Sequence, residues 1–158
     1  MSGKNILKLI GCIVLAEVIG GGSGFLIRNE ITGWYATLAK PSFNPPNWLF
    51  GPVWTTLYLL MGVSLYLILV NVPAGKQKTA AISVWGVQLF LNFWWSIIFF
   101  NFHRLDLAMA EIAVLWIMIV WMIIGFYKLK PVAGLLQIPY LLWVSFASAL
   151  NLAILLLN

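Results

Sequence analysis

The sequence predicts an all-α membrane protein: a five-transmembrane-helix bundle with a long lid loop between helices 1 and 2. Three observations carry that prediction. Of 158 residues, 63% are hydrophobic and only 8% are charged, with a mean hydropathy of +0.99; a soluble domain carries about 25% charged residues. The apolar residues fall into five long runs separated by polar connections. Within the runs, polar and apolar residues do not alternate as barrel strands would require, so helices are the spanning structure. Soluble enzymes, disordered tails and disulfide scaffolds are excluded. A span needs about 20 apolar residues to cross about 30 Å of hydrocarbon. Five spans use roughly 110 residues on that scale, so residues 1–158 read as one transmembrane domain with no room for a soluble one.

The first run extends over about 6–27. Lys4 and Lys8 precede it as in a secretory signal, but its length, the central Glu17 and the lack of a small-residue cleavage pattern predict a retained span. The second covers about 48–72, with Pro52 in its first turn, where a missing N–H does no harm. Residues 72–78 form a turn, and a third span follows over 79–100. A short connection, 101–106, leads to a fourth span over 107–127. Residues 128–131 make the next turn, and the fifth span occupies 132–157.

The nine Lys and Arg against four Asp and Glu give a net charge of +5. They are scattered between apolar runs, which points to membrane topology and not to a nucleic-acid partner. The N-terminus and the second and fourth connections hold Lys4, Lys8, Lys76, Lys78, Lys128 and Lys130, while the opposite side holds Arg28, Lys40 and Arg104. The positive-inside rule then predicts a cytoplasmic N-terminus and an outside C-terminus. The lone Cys12 excludes an internal disulfide and a cysteine metal cluster. His103 stands alone in a loop, so no metal site is expected.

One connection is out of proportion. Residues 28–46 form a stretch of about 19 residues containing Trp34, Tyr35, Phe43 and three prolines. Disordered linkers are poor in aromatics, and long ordered loops are commonly lids, so this segment is expected to pack over the outer end of the bundle.

Polar residues inside spans are the informative ones. Gln88, Asn92, Trp95 and Phe99 fall on one helical face. Trp54, Tyr58 and Met61 form a similar stripe in the second span. Trp143, Ala147, Leu150 and Asn151 form another in the fifth, with Pro139 one turn earlier. Three such stripes facing one another make a cavity suited to a flat, mostly apolar ligand. The same residues also serve as interfacial anchors and interhelical hydrogen bonds elsewhere, and both roles stay open at this point. Glu17 is expected to be protonated or paired with a neighbouring helix, and Glu111 to reach water or Arg104. Gly20–Gly24 lets a helix or ligand approach the backbone closely, with Gly20 and Gly24 a small-xxx-small pair. No conventional hydrolase or transferase constellation is visible.

Trp34-Tyr35, Lys40-Pro41-Ser42-Phe43-Asn44-Pro45-Pro46-Asn47-Trp48 and Val53-Trp54 form a highly specific string. With Val87 through Trp95, Pro139 through Trp143, and Ala149-Leu150-Asn151, the pattern closely resembles the translocator protein family, whose members include the peripheral-type benzodiazepine receptors and bacterial tryptophan-rich sensory proteins. The resemblance covers nearly the whole chain and suggests a bacterial member in the plasma membrane. It implies a homodimeric five-helix bundle binding porphyrins, especially protoporphyrin IX, and isoquinoline carboxamide or benzodiazepine-type drugs. No cofactor is implied beyond the porphyrin as ligand. By matching position, Trp54, Asn92, Trp95, Trp143, Ala147 and Leu150 would line the pocket. Pro45 and Trp48 would belong to the junction of the lid with helix 2. Two other functions are implied for comparison: light- and oxygen-dependent protoporphyrin degradation, in which Trp54 and Trp143 would be catalytic, and transport of a tetrapyrrole or lipid. Asn151 is followed by neither Tyr nor a basic residue, so the cholesterol role of animal members is not carried over.

Overall fold

The computed structural model describes residues 3–158, and among these every regular element is helical. Helix α1 spans Gly3–Thr32, α2 Trp34–Thr37, α3 Asn47–Asn71, α4 Lys76–Ser96, α5 Leu105–Leu129, α6 Pro131–Leu135 and α7 Ile138–Leu157. A π turn, Ile97–Asn101, continues α4. Five helical stretches are long and apolar enough to cross a membrane: α1, α3, α4 with its π turn, α5, and α6 with α7. Their outward faces carry Leu7, Val18, Phe25, Phe90, Trp121 and Leu142, all well exposed. On a soluble protein that surface would be a liability; in a bilayer it is the solvent-facing side.

The helices run alternately up and down. One end of the bundle carries the 33–46 connection, the 102–104 connection and the C-terminus. The Asn158 side chain exchanges 3.0 Å hydrogen bonds with the backbone of Ala39, and His103 Nε2 lies 3.0 Å from Glu30 Oε2. The opposite end carries the α3–α4 and α5–α6 turns. There Lys78 Nζ closes α3 by donating to the carbonyls of Leu69 and Val72 at 2.6 and 2.9 Å.

Glycine sets the closest helix crossing. A Cβ on Gly62 would stand 2.5 Å from the Ile13 Cα, so α3 lies directly against the α1 backbone, and close small-residue contact of this kind drives helix association in lipid. Around it packs a core that includes Met61, Ile68, Leu89, Ile112, Ile119 and Phe126. Buried polar groups join helices: Ser64 Oγ donates to Ala133 O at 2.6 Å, Gln137 Nε2 to Leu60 O at 3.2 Å, and Trp85 Nε1 to Met61 O at 3.2 Å.

Several boundaries differ from the sequence reading. Helix α1 continues past the end of the apolar run at Ile27 through Arg28–Thr32, because backbone hydrogen bonding does not stop where apolarity does. The connection to α3 is correspondingly shorter, 33–46, and it contains α2. Pro52 is the sixth residue of α3, not in its first turn. It therefore removes the partner of the Trp48 carbonyl, tolerable where Trp48 is 71% exposed. The fifth span is broken: α6 ends at Leu135 and α7 restarts at Ile138, with Pro139 in its first turn, where no N–H is missed.

Candidate functional site

A cavity of about 310 Å³ opens between α1, α3, the end of α4 and α7, beneath the 33–46 connection. Its volume is near the lower end of the range for small-molecule sites. Indoles from three helices wall it. Trp54 of α3 stacks on Tyr58 with ring centroids 5.5 Å apart and meets Tyr140 edge-on at 6.3 Å. Trp143 of α7 sits against Phe50 at 6.0 Å and Phe146 at 5.4 Å. Trp95 of α4 packs on Phe99 at 5.4 Å, and its Nε1 donates to Asn151 Oδ1 at 3.3 Å. Asn151 Nδ2 in turn donates to the Leu105 carbonyl at 3.1 Å, tying α7 to the start of α5.

The π turn matters for this wall. Its wider coil re-aims the chain after Ser96, so that both Phe99 and Phe100 reach the cavity; such turns recur at functional sites. At the mouth, Tyr35 of α2 is 3% exposed and packs on Phe99 and Phe100. Its hydroxyl donates to Asn44 Oδ1 at 2.6 Å, closing the connection on itself. Burial pushes the Tyr35 phenol up to about 12. Trp34 stacks on His103 at 4.1 Å, so the same segment is pinned to the α4–α5 connection.

Five of the six sequence-expected residues come together here: Trp54, Trp95, Trp143, Ala147 and Leu150 all line the cavity. Asn92 does not. It is 1% exposed behind the wall, accepting from the Tyr58 hydroxyl at 2.5 Å and donating to the Tyr140 hydroxyl at 3.1 Å. It sets the position of a wall residue instead of forming the wall. Gln88 is likewise buried outside the cavity. Pro45 lies in the connection just before α3, and Trp48, the second residue of α3, points outward. Asn47, Phe50 and Gly51 supply that part of the lining.

Two lining features were missed as a set. On α1, Glu17, Gly20, Gly21, Gly24, Ile27 and Ile31 all face the cavity, and their three- and four-residue spacing was legible as one stripe. Tyr58 was on a recognised stripe but was not singled out. Glu111 does not meet Arg104, which forms a double hydrogen bond with Asp106 at 2.9 and 2.8 Å. Both Glu111 carboxyl oxygens are buried without a partner among the described residues.

Most polar atoms of the site are satisfied internally, as buried groups ought to be. Ser23 Oγ donates to Gly20 O at 2.8 Å, and the Asn92 and Asn151 bonds account for the amides. Trp143 Nε1 is buried without an acceptor among the described residues.

A model of the TspO/MBR family matches residues 12–157 of the chain. The tryptophan-rich protein TspO of Archaeoglobus fulgidus is 43% identical over 154 residues, covering 98% of this chain and 99% of that one. The protein of the same name from Chlorobaculum tepidum is 40% identical over 155 residues, 98% of each chain. The translocator protein of Homo sapiens is 33% identical over 150 residues, 94% of this chain and 84% of that protein.

Proposed function

The chain belongs to the TspO/MBR family and is an integral membrane protein, and we propose that it acts as a receptor or sensor for flat, mostly apolar ligands of the porphyrin type. Protoporphyrin IX is the leading ligand, and isoquinoline carboxamide and benzodiazepine-type drugs would share its cavity. The observation that carries this reading is the convergence of Trp54, Trp95 and Trp143 from three helices on one cavity. Aromatic faces suit a planar macrocycle, and a few polar atoms fix its orientation. In this reading the 33–46 connection, docked through Tyr35, is the lid. The membrane is a bacterial plasma membrane, with the basic end of the bundle cytoplasmic and the cavity end outside. The chain pairs with a second copy within it.

A second reading is favoured by the same placement of Trp54 and Trp143. A bound porphyrin is a photosensitiser: in light it activates oxygen, the oxidant that would attack the macrocycle itself, with the indoles in contact as participants in that oxidation. The protein would then degrade its ligand.

The experiment is titration of the purified protein with protoporphyrin IX in the dark and then under light, following porphyrin absorbance and tryptophan fluorescence. Saturable quenching with an unchanged porphyrin spectrum in light is the expected result for a receptor. A new absorbance band that requires both light and Trp143, lost in Trp143→Phe, replaces it with the degrading enzyme. Absence of saturable quenching overturns both.

A further inference from the structure

Glu17 stands on the α1 stripe that faces the cavity, in the middle of a membrane-spanning helix. Ionisable residues at such depth are costly and normally paired. No ion pair reaches Glu17 among the described residues, whose pairs are His103–Glu30 and Arg104–Asp106. No Lys or Arg among the described residues lines the cavity. Arg28 lies 3.7 Å over the Phe25 ring and donates to the Phe25 carbonyl at 3.2 Å. Lys40 donates to the carbonyls of Ala36 and Leu38 at 3.3 and 3.1 Å. Lys8 lies nine residues back along α1, about 13 Å along the axis.

Part of the wall toward Glu17 is free of side chains. Side chains at Gly21 and Gly24 would meet nothing within 4 Å, whereas the Tyr58 ring covers Gly20, so the α1 face is open beside Tyr58. The indoles of Trp54, Trp95 and Trp143 line the same cavity, and aromatic rings attract cations as well as flat apolar bodies. A carboxyl without an ion pair in a cavity walled by indoles is the complement of a cation on an aromatic scaffold.

We infer that the cavity takes flat aromatic ligands bearing a protonated nitrogen, with Glu17 as the counter-ion. The inference goes beyond the porphyrin reading and does not depend on it.

The test uses 9-aminoacridine, planar and cationic at neutral pH, and anthracene, its neutral counterpart of similar shape. Each is titrated into the protein in nanodiscs of zwitterionic lipid, reading saturable tryptophan quenching. Wild type is expected to bind 9-aminoacridine at least tenfold more tightly than Glu17→Gln, while anthracene binds both within twofold. Glu17→Asp, which keeps the charge, retains most of the preference for the cation. Equal 9-aminoacridine affinity in wild type and Glu17→Gln overturns the inference. So does no saturable 9-aminoacridine binding to wild type, or a loss in Glu17→Asp as large as in Glu17→Gln. Anthracene binding to Glu17→Gln certifies that the variant is folded. Failure of protoporphyrin IX to bind wild type sinks the porphyrin reading alone and leaves this result standing.

Discussion

The Tyr58 ring occupies the space where a side chain on Gly20 would stand. A Cβ built at residue 20 would clash with the phenol ring, and that phenol is fixed by Asn92 and by stacking on Trp54. The glycine is thus part of the cavity wall at one remove: it admits the tyrosine that supports an indole.

Gly20→Ala is therefore expected to displace Tyr58 and destabilise the protein by about 1–3 kcal/mol, the usual range for overpacking. Gly11→Ala, on the same helix with nothing within 4 Å of its Cβ, is the matched control and is expected to be neutral. Thermal unfolding of the two variants checks this, and equal melting temperatures would contradict it.

Asn92→Ala is expected to lower stability without ligand as well as weakening ligand binding. It leaves the buried hydroxyls of Tyr58 and Tyr140 without their amide, at about 1–3 kcal/mol for each unsatisfied group. A residue that only touched ligand would leave the unliganded melting temperature unchanged, so that measurement separates the two roles.

Trp143→Phe removes a buried donor that has no partner while keeping an aromatic wall. Its unliganded stability is expected to match or slightly exceed wild type. Thermal unfolding of wild type and variant without ligand checks it, and a large loss of melting temperature in the variant would contradict it.

The Tyr35 contact gives a pH dependence of definite sign. Its phenol is raised to about 12 in the folded protein, against about 10 when free. Below about pH 10 the phenol is neutral whether docked or not, and the docking stability is fully present. Between about pH 10 and 12 the undocked phenol ionises first, so that stability is lost as pH rises. The melting-temperature advantage of wild type over Tyr35→Phe is expected to stay constant up to about pH 10 and then to vanish.

The five spans were legible because the hydrocarbon solvent demands them. Backbone groups in lipid must be satisfied within the segment, so enough consecutive apolar residues specify a helix almost regardless of neighbours. The indole stripes were legible for a related reason, since residues 54, 95, 143, 147 and 150 each share a face with other distinctive side chains at helical spacing. What lay beyond the sequence was the rotation and depth of each helix against the next. Where α3 lies on α1, set by Gly62 at Ile13 and Gly20 at Tyr58, decides that Asn92 supports the wall while Tyr58 forms it. The same packing leaves Glu17 without an ion pair and Trp143 Nε1 without an acceptor among the described residues. Helix boundaries followed neither apolarity nor proline alone: α1 runs on through Arg28–Thr32, and the last span breaks at 136–137. Membrane fold and family follow from composition and local spacing, which are properties of one chain segment at a time. Which polar groups satisfy each other, and which face the cavity, depends on distances between segments far apart in the chain and is set by their packing.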